Sequence, residues 1–303
     1  MKIVQIVGAG AWGSALSIAL SKKHKVTLVT QNKHKITKLQ NERVNDAIPG
    51  AIIPGEIIIQ DHLAPSADYT IISVTTNAIA QIIQKNLQYF RSQPNIIISS
   101  KGMDPESGKL LSEILEYEKI DPLFLAGPNF AIEIAKKQKA SANIAAKNYA
   151  RAITAASELS CETLELLPLR DYITMQICGC YKNILSIYCG YIIEKGLGNN
   201  FRAKICTDAI LELMEICKHI GCDPGDVLSY SGIGDIMLSC FSDQSRNFQF
   251  GQIIARGEVM PRKISIEGIS AARLLYEKCE SLNQKPQILS GIYNLILNYS
   301  KGQ

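Results

Sequence analysis

Six residues near the N-terminus, Gly8-Ala9-Gly10-Ala11-Trp12-Gly13, decide more about this chain than any others, because they follow the apolar run Ile3–Val7 directly and open an amphipathic stretch over residues 11–22. A strand, a glycine-spaced turn and a helix in that order form the front of a βαβ unit. In such a unit Gly8 permits the tight turn, Gly10 lets a ligand approach the backbone, and Gly13 lets helix and strand pack closely. The helix N-terminus adds unpaired N–H groups and a positive dipole end, which suit a pyrophosphate. The same spacing would also serve a strand–turn–helix whose glycines act only in packing. The sequence beyond it decides for the unit. Apolar runs over 25–30, 69–74, 95–99, 123–126, 142–146 and 163–167 alternate with helical patterns over 78–90 and 107–118. Continuous apolar strands separated by helices predict a mostly parallel, doubly wound α/β sheet covered on both faces. Its ligand edge lies at the strand C-terminal ends.

After Asp171 the strand signals fade, and helical patterns run over 172–195, 202–220, 269–282 and 288–299. Two domains are therefore expected, a dinucleotide-binding one over 1–170 and an all-helical one over 171–303, a division that suits a chain of 303 residues.

Composition removes several functions. A net charge of +4 with no basic arm is too weak a footprint for nucleic acid, though it favours approach of a small anion. Nine cysteines are scattered with no C-x-x-C pair, which speaks against a disulfide framework or a zinc site and for reduced thiols filling helix cores. No metal is expected. Neither a targeting segment nor a membrane span is read from the sequence, so a soluble cytoplasmic protein is expected. At the end of the second strand, where an acid would bind a ribose 2′-OH and repel a 2′-phosphate, stand Thr30-Gln31-Asn32-Lys33, with Lys35 beyond. Gln31 and Lys33 are candidate cofactor contacts, and NADP(H) is expected to be accepted.

The second half poses a puzzle. Residues 177–188 read as a helix apolar on nearly all sides, yet Lys182 and Asn183 sit in its middle. A buried amine is costly unless it finds partners or lines a polar cavity, although a lysine can also snorkel to the surface. Other polar loops join it. Ser100-Lys101-Gly102 follows one strand and Gly127-Pro128-Asn129 the next, while Gly234-Asp235 leads on to Ser245-Arg246-Asn247, where an arginine could grip phosphate with both arms of its fork.

Taken in order, Gly8–Gly13, Ser100-Lys101-Gly102, Gly127-Pro128-Asn129-Phe130-Ala131, Lys182-Asn183, Gly234-Asp235, Ser245-Arg246-Asn247 and Ile266-Glu267-Gly268 resemble the soluble NAD(P)-dependent glycerol-3-phosphate dehydrogenases of the bacterial type, over essentially the whole chain. The resemblance implies a Rossmann domain followed by a helical domain, NAD(P)H as cofactor, and interconversion of dihydroxyacetone phosphate and sn-glycerol 3-phosphate. It implies Lys182 as the group that protonates the C2 oxygen, Asp235 as its carboxylate partner and Lys101 beside substrate and cofactor. Arg246 and Asn247 would hold the substrate phosphate, with Asn183, Ser245, Gly127 and Asn129 completing that pocket. Gly8, Gly10, Ala11, Trp12, Gly13, Gln31, Ala131, Arg246, Ser265 and Glu267 match cofactor positions. A homodimer is implied by the resemblance alone.

The chain departs from the family pattern at Asn129, where Ser or Thr is usual, and at Asn200-Phe201-Arg202, where a hydroxyl is usual at the middle position. Cys178 and Cys180, just before Lys182, are open to oxidation. Two rival readings stay in view. One is a dehydrogenase of the same architecture acting on a hydroxy acid or a ketopantoate-like substrate. The other is a dinucleotide-binding regulatory module, for which a buried Lys182 beside Asp235 has no use.

Overall fold

The computed structural model describes residues 1–260 and 266–301. The chain divides into two compact units, Met1–Ser100 with Ser112–Tyr172, and Lys101–Leu111 with Ile173–Gln303. A single boundary near residue 170 leaves the short segment Lys101–Leu111 with the first half, whereas it clusters with the second. Its anchors are Met103 and Leu110, both buried in the helical core.

The first unit is built on eight strands: β1 (Ile3–Val7), β2 (Lys25–Val29), β3 (Ile58–Gln60), β4 (Tyr69–Ile72), β5 (Ile96–Ile98), β6 (Leu123–Ala126), β7 (Ala140–Ala146) and β8 (Leu164–Leu169). They form one sheet in the order β3-β2-β1-β4-β5-β6-β7-β8. Every neighbouring pair is parallel except β6 with β7. Val4, Gln5 and Ile6 are fully buried in succession, which requires cover on both faces of β1. The doubly wound, mostly parallel Rossmann sheet is thus present, with the strand order reversing between β1 and β4. Ligands bind at that reversal in folds of this kind.

One strand escaped the sequence reading: the edge strand β3 spans only three residues, too few to show an alternation. At the other edge β8, expected over 163–167, runs on through Pro168, which an edge strand tolerates because one row of its backbone groups needs no partner.

The second unit is helical, dominated by Tyr172–Glu194, Gly198–Ile220, Arg246–Arg256, Glu267–Ser281 and Gln287–Lys301. The first of these is buried along most of its length because two glycines let another helix press against it. A Cβ on Gly190 would stand 1.9 Å from the Phe248 carbonyl oxygen, and one on Gly251 would stand 1.8 Å from that of Ile187. Backbones in such contact set the position of the Arg246–Arg256 helix, and with it Ser245 and Asn247. The last helix is fixed at its start by Glu212, which accepts from the N–H groups of Ile288 and Leu289 at 2.7 and 2.9 Å and from the buried Tyr181 hydroxyl at 2.8 Å. Among the described residues no helix is long and apolar enough to cross a membrane.

Candidate active site

The glycine turn of the first unit has the three-way division expected of it. Gly8 has φ of +114°, and a Cβ there would lie 2.3 Å from the Ser73 carbonyl oxygen. One on Gly13 would lie 2.0 Å from the Gly8 carbonyl oxygen, so both positions exclude a side chain. A Cβ on Gly10 would meet nothing within 4 Å, leaving open space where a ligand would approach. The Ala9 carbonyl accepts from the Lys35 ammonium at 2.7 Å and from the buried Asn45 amide at 3.1 Å. Asn45 also donates to the Ser14 hydroxyl at 2.7 Å. Because a trans peptide sets C=O and N–H in opposite directions, this grip turns the Gly10 N–H the other way. Neither donor was foreseen from the sequence.

A cavity of about 690 Å³ lies beside the turn, lined among others by Gly8, Thr30, Gln31, Val74 and Asp61. The residues fit a dinucleotide: the open Gly10 face suits a pyrophosphate, and the cavity has room for the adenosine half. Ala11 and Trp12 open the helix and, with Ala131, pack against the core of this unit. Gln31 and Lys33 are exposed. Asp61 brings a carboxylate to the cavity from the end of β3 that the sequence reading did not find. A hydrogen bond from His62 foremost, with a smaller contribution from Lys33, holds that carboxyl below its ordinary value. At Gly127 an added Cβ would lie 2.7 Å from the Ala142 Cα, so glycine is required there. Asn129 donates to the Ser141 carbonyl at 3.1 Å, while its side-chain oxygen is buried with no partner among the described residues.

In the second unit Asp235 gathers two amines. It is 2% exposed, and its two oxygens lie 2.5 Å from Lys101 Nζ and 3.5 Å from Lys182 Nζ. Lys182 also donates to the Ser239 hydroxyl at 3.2 Å. The amine in the apolar helix therefore does not snorkel to bulk solvent. Its side chain is 15% exposed. A π-helical turn, Tyr230–Gly234, precedes the Asp235–Cys240 helix and sets its direction. Ser239 stands one helical turn after Asp235, and Ser186 one turn after Lys182, so each pair shares a helix face. Burial foremost lowers the Lys101 pKa from its ordinary 10.5; the neighbouring charge of Lys182 adds to this, and Asp235 opposes it. Gly179, on the Lys182 helix, has Lys101 as its neighbour, at 3.3 Å from an added Cβ.

A second polar group adjoins this one. Asn183 donates to Glu267 at 3.3 Å and accepts from Asn247 at 2.9 Å, and Asn247 accepts from the Gly268 N–H at 3.0 Å. These four residues form a closed ring that commits the Asn247 carbonyl oxygen internally. Ser245 caps the helix that follows and bonds Ser186 at 2.9 Å. Arg246 is exposed at the first turn of that helix, free to reach outward. Ser265 lies outside the described residues.

A Rossmann sheet with an open glycine turn, and a helical unit holding two amines on one carboxylate, define a nicotinamide-dependent oxidoreductase. Comparison with known proteins narrows the class. Residues 3–152 match the family model for the NAD-dependent glycerol-3-phosphate dehydrogenase N-terminus, and residues 171–302 match that for its C-terminus. The chain belongs to this family. It is similar to the glycerol-3-phosphate dehydrogenase [NAD(P)+] of Orientia tsutsugamushi, at 32% identity over 99% of this chain and 95% of that protein. It is likewise similar to the one of Agrobacterium fabrum, at 35% over 85% and 80%. The solved glycerol-3-phosphate dehydrogenase of Coxiella burnetii shares the fold, with a TM-score of 0.88 over 99% of this chain and 96% of that one at 23% identity.

Proposed function

We propose that this chain interconverts dihydroxyacetone phosphate and sn-glycerol 3-phosphate, with NAD(P)H bound at the Gly8–Gly13 turn. The observation that carries the chemistry is the Lys101–Asp235–Lys182 group, in which two amines share one buried carboxylate. When bound, the nicotinamide supplies or receives the hydride. Reduction of a ketone builds negative charge on its oxygen, and a buried ammonium stabilises that charge where water cannot. Lys182 has three N–H groups, of which Asp235 and Ser239 engage two, and the third serves as the proton donor to the C2 oxygen. In oxidation the same nitrogen takes the proton back. Asp235 holds both amines in place.

Arg246, exposed at a helix N-terminus beside Ser245, suits the substrate phosphate, which favours a phosphorylated ketone over a hydroxy acid. Asn247 serves that end by fixing the loop through Asn183 and Gly268. Asn129 and Gly127 are assigned to the substrate as well, and the buried oxygen of Asn129, without a partner among the described residues, supports a donor from outside the protein. Glu267 and Ser265 are assigned to the cofactor with Gln31, Lys33, Ala131 and Arg246. A cytoplasmic homodimer supplying glycerol phosphate for phospholipid synthesis completes the proposal. The test is NAD(P)H oxidation with dihydroxyacetone phosphate set against several keto acids. Turnover confined to the phosphorylated ketone is expected; turnover only on a keto acid, or none on any ketone, overturns it.

A further inference from the structure

The cysteines look scattered along the chain, but three of them meet. Cys189 on the Tyr172–Glu194 helix, Cys206 on Gly198–Ile220 and Cys240 at the end of Asp235–Cys240 have sulfurs all within 4.8 Å of one another, and Cys189 and Cys206 stand 3.6 Å apart. All three residues are buried, at 0%, 7% and 0% exposure. We propose that this trio is a binding site for a thiophilic divalent d10 ion, Zn(II) in the cell, that takes Cys189, Cys206 and Cys240 as three ligands.

Three observations carry it. The first is distance. A zinc–sulfur bond of about 2.3 Å puts the sulfurs of a tetrahedral site about 3.8 Å apart, so thiols held at 3.6 to 4.8 Å need only small shifts to close on an ion. The second is charge. Three thiolates and a divalent ion leave one net negative charge, costly to bury alone. Arg202 stands at this cluster, its Nη1 donating to the Cys240 carbonyl at 3.5 Å and its Nε buried with no partner among the described residues. The third is chemistry. Thiolate sulfur is the soft donor that a thiophilic d10 ion takes, and three different helices bring three such donors to one point. Filling a core with apolar groups would call for none of this.

Binding exchanges three thiol protons, released to solvent, for three metal–sulfur bonds; no electron moves. Cys240 ends the helix that begins with Asp235 and carries Ser239, so the ion would tie the position of that helix to metal supply. The site itself does not depend on the assigned dehydrogenase activity.

The test titrates the reduced full-length chain with Cd(II), anaerobically, against a chromophoric chelator. A sulfur-to-cadmium charge-transfer band saturating at one equivalent is expected, with a cadmium NMR shift in the range of three sulfur ligands, and with affinity falling as pH falls. C206A should lower the affinity more than about tenfold, while C279A, outside the trio, should leave it unchanged. The NMR measurement on the unaltered chain needs no variant to fold. Absence of a stoichiometric band there, a shift outside that range, or full affinity in a folded C206A overturns the site.

Discussion

Lys182 has three contacts to make and shows two of them, which makes its removal the most informative single change. Lys182→Ala should lower kcat more than about a thousandfold while NADH affinity stays within about twofold; near-normal turnover would end its role as proton donor. Lys101 calls for a pH experiment. Its pKa is lowered, so its ammonium loses the proton at a lower pH than the ordinary 10.5. Charge that stabilises the forming oxyanion is therefore present in acid and lost as pH rises through that lowered value. The alkaline limb of kcat/KM for ketone reduction should fall below 10.5 and move upward in Lys101→Arg, whose guanidinium stays charged. An unmoved limb in that variant would assign it to another group. Asp61 lines the cavity beside the glycine turn with Gln31, so it is expected to bear on cofactor choice as much as the lysines. Lys35 spends its ammonium on the Ala9 carbonyl, and the Lys33 charge acts on Asp61 across the turn. Asp61→Asn should raise the preference for NADPH over NADH severalfold; an unchanged ratio would place the carboxylate away from the ribose. Lys182 was legible because a charged residue inside an apolar helix has few bland uses, whereas Asp235 and Lys101 stood out only through the family resemblance. Ser239 and Ser186 were legible in principle, each one helical turn from a group already singled out. Asp61 and Asn45 were not, since only the fold brings them to the glycine turn.

Among the elements, the helix pair Tyr172–Glu194 and Arg246–Arg256 shows what sequence can and cannot give. The long apolar pattern announces the first helix, but nothing in the sequence marks Gly190 and Gly251 as a contact. Their cause is the partner backbone less than 2 Å from where a Cβ would stand. Gly251→Ala should therefore cost about 3 kcal/mol or more and raise the KM for substrate, since the displaced helix carries Ser245, Arg246 and Asn247. Gly291 provides the contrast. It is exposed in the Gln287–Lys301 helix with nothing within 4 Å of an added Cβ, so Gly291→Ala should stabilise by about 0.5 to 1 kcal/mol. Urea midpoints of the two variants check both signs, and equal shifts would mean that the close approach is not what holds these helices. The strands were read closely where apolar runs were long. β3 was missed because three residues carry no period.

For the whole chain, the sequence marked a change of character near residue 170, and composition alone supports a cut there. What composition cannot register is a short segment that leaves one unit for the other. Lys101–Leu111 departs from the end of a strand yet buries Met103 and Leu110 against helices that come some seventy residues later or more. A fragment of residues 1–172 would keep the whole sheet but strip those two side chains of their cover, at roughly 1.5 to 3 kcal/mol each, and would expose the Lys101 amine without Asp235. Such a fragment should bind a hydrophobic dye and aggregate on warming. The same fragment with residues 101–111 replaced by a short glycine-serine loop should be more soluble and should retain NADH binding, because every glycine of the turn and every lining residue of the cavity stays within it. Dye binding, sedimentation and cofactor titration on the two fragments measure the difference. If they behave alike, the segment is not anchored by its own apolar contacts, and the first unit is separable at residue 172 without repair.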